Sequence, residues 1–149
     1  MKQISTRVLA LLLAVLSGAI ASGQTSKSFK VRLSPMPLDL AMAANMTGVG
    51  ALTAGLAGAT LTLSGAFEGL SSPATVARLH KSPKPGMRGE PILDLQVAKA
   101  TAGPLSATLT LTPQQVQDLQ NSRLYVQIHS EKAPEGNLWG WLLPEETKR

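Results

Sequence analysis

The chain has 149 residues, no cysteine and a formal net charge of +5. That length suits one domain with a modest core. The missing cysteine excludes disulfides, thiolate metal ligands, a cysteine nucleophile and a lipidated cysteine. Aromatic residues are only 3% of the chain, and its basic residues are scattered apart from a group at His80, Lys81, Lys84 and Arg88. Nucleic-acid binding, which calls for a basic stripe and often stacking aromatics, is therefore not expected.

Residues 1–21 read as an export signal. Lys2 and Arg7 form a basic start, Val8 to Leu16 is apolar, and Ala19 and Ala21 make an Ala-x-Ala site, so cleavage is expected before Ser22. The apolar run is short of the roughly 20 residues that span a bilayer. A retained anchor or a buried helix is the alternative. Removal leaves residues 22–149 with no further apolar segment of spanning length, and the periplasm, the cell surface or the medium as the destination.

Residues 22–28 are small and polar and read as a flexible mature N-terminus. Phe29, Val31 and Leu33 alternate with Lys30 and Arg32, a strand signal. Residues 35–58 are rich in Ala, Met, Gly and Leu. Helix propensity from Leu38 to Met46 is interrupted by glycines, and the reading is a loop followed by a short strand near Gly50–Leu56. Residues 59–67 alternate Leu and Thr as a half-buried strand, residues 69–73 turn, and residues 74–80 form another strand. Pro83, Pro85, Gly86, Gly89 and Pro91 make residues 81–91 a loop, and Ile92 to Val97 is a strand.

Leu105 to Thr112 is the clearest strand. The period then changes: Thr112 can cap a helix, Pro113 fits its first position, and Gln115 can close a capping box, with Val116 and Leu119 on one face. The helix fades near Asn121. Leu124, Val126 and Ile128 alternate with Tyr125, Gln127 and His129. Residues 133–137 (APEGN) read as a tight connection, residues 137–143 as the last strand, and residues 144–149 as a polar tail. About seven short strands separated by turns indicate an all-β antiparallel sandwich, with a closed barrel as the alternative.

The runs GALTAGLAGATLTLSGAFEGLSSPATVARLH, GEPILDL and GPLSATLTLTPQQVQDLQNSRLYVQIHSEKAPEGNLWGWL, in that order, resemble the CHRD domain, which occurs in chordin and in exported microbial proteins. The resemblance covers about residues 45–143, and its most specific part is Leu124 to His129 followed by Pro134 and Gly136. It implies an immunoglobulin-like, Greek-key β-sandwich. The family's function is poorly defined, and chordin's role as an extracellular antagonist of signalling proteins does not transfer with the fold. The chain departs from the family in two places. Arg78-Leu79-His80 stands where members often carry His-x-His. Gly136 to Trp141 stands where the last strand often reads Gly-Glu-Ile-Arg-Gly-Gln.

Several residues could carry chemistry. His80 and His129, the only histidines, fall on the non-core parity of their strands. On neighbouring strands their imidazoles would converge as a copper or zinc site, given a third ligand from Asp94, Glu131 or Met87. Arg78 opposes this as a nearby cation, and paired hydrogen-bonding histidines are the plainer reading. Trp139 and Trp141 share one side of the last strand and, with Tyr125, could offer an aromatic strip to a protein or glycan, or could be covered. The loop at 78–90, with Arg78, Lys81, Lys84 and Arg88, could meet an anionic surface or be merely solvated. No Gly-x-Ser-x-Gly elbow, phosphate-cradling loop or readable acid–base pair is present. The expectation is a non-catalytic extracytoplasmic binding or structural module with no cofactor, and metal binding through His80 and His129 is the alternative.

Overall fold

A computed structural model describes residues 26–146. The expected export signal and cleavage site, part of the polar N-terminus and the end of the polar tail lie outside the described residues. Within them are nine strands and two short helices: β1 (Lys27–Leu33), α1 (Leu40–Ala43), β2 (Val49–Ala57), β3 (Thr60–Glu68), β4 (Ala74–Lys81), β5 (Glu90–Val97), β6 (Gly103–Thr110), α2 (Pro113–Gln120), β7 (Leu124–Ser130), β8 (Ala133–Trp141) and β9 (Leu143–Pro144).

The strands form one antiparallel sheet in the order β8-β7-β4-β5-β6-β3-β2-β1-β9. β5 is the seam. Its first part pairs with β4, and only Gln96 and Val97 pair with β6. At the other side the sheet curls back on itself. Ser34, just after β1, exchanges both backbone hydrogen bonds with Trp139 of β8 at 3.0 Å. The result is nearly a barrel, with all-β antiparallel character and few helices.

Alternation explains why these segments pair. Phe29, Val31 and Leu33 of β1, Leu52, Ala54 and Leu56 of β2, and Leu61, Leu63 and Phe67 of β3 all bury, while the Lys, Arg, Thr and Ser between them face out. The opposite wall supplies Ala77, Leu79, Leu124, Val126, Ile128 and Leu138 to the same core. Burying each Leu or Ile removes enough apolar surface to favour folding by about 1.5–3 kcal/mol.

α2 closes one end. Its capping box forms as the sequence predicts: Gln115 N–H donates to Thr112 Oγ1 at 3.2 Å, and Thr112 N–H donates to Gln115 Oε1 at 2.9 Å. Leu119 enters the core. Beside it, buried Asp118 receives Lys81 Nζ at 2.9 Å and Arg123 Nη1 at 3.5 Å. The Lys81 contact is off hydrogen-bonding direction and is therefore ionic in character.

Two expectations are corrected. The strand near Gly50–Leu56 is longer, a nine-residue β2 paired along its whole length with β3, because the register of its alternating apolar residues outweighs the glycines. The APEGN segment is not a connection. The turn falls at Glu131 and Lys132, and Ala133 to Asn137 already belong to β8. Proline is tolerated there because β8 ends the sheet and one of its edges needs no ladder donor.

Candidate functional site

β4, β7 and β8 are adjacent, and their second face is the unusual one. It carries Arg78 and His80 from β4, Tyr125, Gln127 and His129 from β7, and Trp139 and Trp141 from β8. In register, His80 pairs with Tyr125, Arg78 with Gln127, Tyr125 with Trp141 and Gln127 with Trp139. Every described position of β7 except His129 is buried, so both of its faces are covered. The cover comes from two loops. Met42 and Met46, in the flap between β1 and β2, pack on Tyr125, Ala133, Trp139 and Trp141. The β4–β5 loop lays Arg88 over the Trp139 ring, 3.7 Å from its centre, and Arg88 Nη2 donates to the Met36 carbonyl at 2.5 Å.

Gly89 is the anchor of that loop. Its N–H donates to the Tyr125 hydroxyl at 2.9 Å, and its carbonyl accepts from Tyr125 at 3.0 Å and from His80 Nδ1 at 3.0 Å. Any side chain here would run into the Lys81 carbonyl, so the close approach demands glycine. Burial raises the Tyr125 pKa, keeping the phenol protonated and able to donate. Asn137 pins the other loop, accepting from Thr47 N–H at 3.2 Å and donating to the Thr47 carbonyl at 2.9 Å.

The rings form a connected stack. His80 and Tyr125 have centroids 4.9 Å apart, Tyr125 and Trp141 4.9 Å, and Tyr125 and Trp139 5.7 Å. His80 and His129 lie 6.4 Å apart. His129 Nδ1 contacts the Pro134 carbonyl at 2.8 Å. A carbonyl only accepts, so Nδ1 carries the proton in both rings and Nε2 keeps its lone pair. Both Nε2 atoms are buried without a hydrogen-bond partner. Burial is the main reason both imidazoles titrate below the ordinary histidine value, and nearby Arg78 adds to the effect.

The convergence of His80 and His129 is thus as the strand parity indicates. The supporting ligands are elsewhere: Asp94 is taken by Arg78, whose Nε donates to Oδ1 at 2.9 Å, and Met87 and Glu131 are exposed. Among the described residues, no three His, Cys, Asp or Glu side chains come together. The aromatic strip is covered rather than open, with Tyr125 1% and Trp139 3% exposed. The flap between β1 and β2 and the β4–β5 loop lie across it. Arg88, which the sequence offers only as part of a basic group, lies over Trp139 instead; Gly89 and Asn137 carry no signal beyond turn composition, since their role depends on contacts far along the chain.

Fold and face together define a small all-β domain with a covered imidazole–aromatic layer outside its core. The family model of the CHRD domain matches residues 29–142, and the chain belongs to that family. The match includes β1, which the quoted sequence runs leave out. No curated protein and no solved structure matches the chain.

Proposed function

We propose that the protein is an exported, non-catalytic binding or structural module of the cell envelope or extracellular space, whose contact surface is the flap at residues 35–47 together with the β4–β5 loop. One observation carries this reading: Leu38 is 70% exposed and Leu40 91%, beside the exposed Met36 and Met87. Exposed apolar side chains gathered on loops mark contact surfaces more often than those scattered singly. The Arg88–Met36 hydrogen bond ties the two loops together.

A protein partner fits better than a glycan, because the rings that would stack on a sugar lie beneath the cover. Of the site residues suggested by the sequence, Tyr125, Trp139 and Trp141 then support the surface from below, while Arg78 stays partly exposed and paired with Asp94. We read the nearly closed sheet as two facing halves, β5-β4-β7-β8 and β6-β3-β2-β1-β9, the sandwich layout that the family resemblance implies. No described helix is long and apolar enough to cross a membrane.

The test is the double variant Leu38→Ser, Leu40→Ser, which touches no core residue. Expected is a cooperatively folded protein whose binding to isolated envelope or extracellular-matrix protein falls at least about tenfold, a change of about 1.4 kcal/mol. Binding that stays equal to wild type rejects the flap as the contact surface.

A further inference from the structure

On the covered face two acceptors are left over. A buried acceptor without a donor costs free energy, and native proteins rarely keep one without use. Here two occur on adjacent strands, both imidazole Nε2 atoms; the unpartnered Trp139 and Trp141 Nε1–H groups on the same face are donors only and cannot ligate a cation. We propose that His80 and His129 form a two-coordinate site for a soft monovalent cation, copper(I) or silver(I), held between their Nε2 atoms.

The ligands are already in the form that binds metal. Each Nδ1–H is spent on a backbone carbonyl, at Gly89 and at Pro134, which fixes the tautomer and the ring plane. This is how ligating histidines are ordinarily oriented. The His80 ring is further held by the Tyr125 ring stacked on it. The spacing suits one ion. A ring nitrogen lies about 1.1 Å from its ring centre, so centroids 6.4 Å apart let the Nε2 atoms approach to about 4 Å, twice a metal–imidazole bond of about 2 Å.

The ligand count and the charge choose the metal. Zinc needs four ligands in a closed site, and copper(II) prefers a square-planar set. No third His, Cys, Asp or Glu joins the pair among the described residues. A filled-shell monovalent ion is satisfied by two nitrogens in line. Arg78 stands between the two histidines in the strand register, across from Gln127, and its positive charge opposes a divalent ion more than a monovalent one. Asp94 partly offsets that charge. Both Nε2 atoms are buried, and the Tyr125 ring stacked on His80 shields that side of the pair from water. Binding replaces no proton and changes no oxidation state when the metal is supplied as the monovalent ion.

The purified protein is titrated with silver(I) in chloride-free buffer, and with copper(I) under anaerobic reducing conditions against a copper(I) chelator. One ion per chain is expected. In long-range proton–nitrogen spectra of the wild type, both Nε2 resonances should move on silver addition while both Nδ1 resonances stay near their positions. His80→Gln and His129→Gln should each weaken binding roughly a hundredfold or more, since one of two ligands is gone. Met36→Leu with Met87→Leu should leave it unchanged. No binding by the wild type, unmoved Nε2 signals, affinity that survives the histidine changes or falls with the methionine changes, or zinc(II) bound as tightly as silver(I) would each overturn the site. The nitrogen spectra decide the matter in the wild type even where a histidine variant fails to fold.

Discussion

Gly140 tests how the sheet closes. It lies in β8, and a Cβ placed on it would sit 2.5 Å from the Arg32 carbonyl oxygen and 2.7 Å from Val31 Cγ1. The nearer obstacle is backbone, which cannot swing aside. Gly140→Ala must therefore push β8 from β1, and the adjacent Ser34–Trp139 pair gives first. Overpacking of this kind costs about 1–3 kcal/mol, and two backbone hydrogen bonds contribute about 0.5–1.5 kcal/mol each. Because the strain is relieved as the bonds break, the total should be about 2–4 kcal/mol. At about 4 °C per kcal/mol for a domain of this size, Tm falls by about 8–16 °C. Gly55→Ala is the control, since its Cβ would meet nothing within 4 Å, and it should stay within about 0.5 kcal/mol of wild type. Urea unfolding gives the free energies, and hydrogen exchange reads the Ser34 and Trp139 amides. Should Gly140→Ala match Gly55→Ala in stability with both amides still protected, the closure is not where the structure puts it.

Four further outcomes are expected. In the metal-free protein, stability should decline in acid. The folded imidazoles of His80 and His129 have lowered pKa values, chiefly through burial, whereas the unfolded chain takes up protons near 6.5. Stability is therefore full above that pH and is lost as pH falls through 6.5 toward the depressed folded values, by at most about 1.4 kcal/mol per pH unit per histidine. A urea midpoint equal at pH 7.5 and 5.5, or one that drops equally in the double Gln variant, contradicts this. Asp118→Ala deletes the buried carboxylate and leaves Lys81 and Arg123, 38% and 32% exposed, free to turn to water, so it should cost about 1–3 kcal/mol by urea unfolding; a loss below about 0.5 kcal/mol would mean the ion pairs are dispensable. Arg88→Ala removes both the cation over Trp139 and the tie to Met36. Faster proteolysis within residues 35–47 and a red shift of tryptophan emission are expected, and an unchanged digest would show that Met42 and Met46 hold the flap alone. Thr112→Ala should cost about 0.5–2 kcal/mol through loss of the cap of α2, with thermal unfolding as the check.

Much of the antiparallel sheet was legible because its strands alternate so regularly. Leu61 and Leu63 against Thr60 and Thr62, or Leu105 against Ser106, leave only one face that can be buried. The helix was legible for a local reason too, since a cap, a proline and a glutamine in fixed order satisfy one another without tertiary help. Pro134 and Gly136 misled because their turn propensity is also local, while what decides their state is that β8 lies at the end of the sheet. The histidines could be placed on one side of their strands, but not closer. Whether they meet depends on β4 and β7 being neighbours and on Gly89 and Pro134 offering carbonyls, and no spacing in the chain encodes either. Covering of the tryptophans was equally hidden: Trp139 and Trp141 have the parity of a surface strip, and only Arg88 and the flap methionines make it an interior.

β1 also sets the direction in which the molecule can present itself. At its beginning Phe29 faces Pro144 in β9, and Glu145 N–H donates to the Ser28 carbonyl at 2.9 Å, so the described ends of the chain leave from one corner. At its other end, Ser34 leads directly into the flap. Seven residues of extended strand separate the two by about 20 Å at about 3.3 Å per residue. Whatever is fastened to that corner, at either end of the chain, holds the domain by its base and leaves Leu38 and Leu40 pointing outward at the far tip.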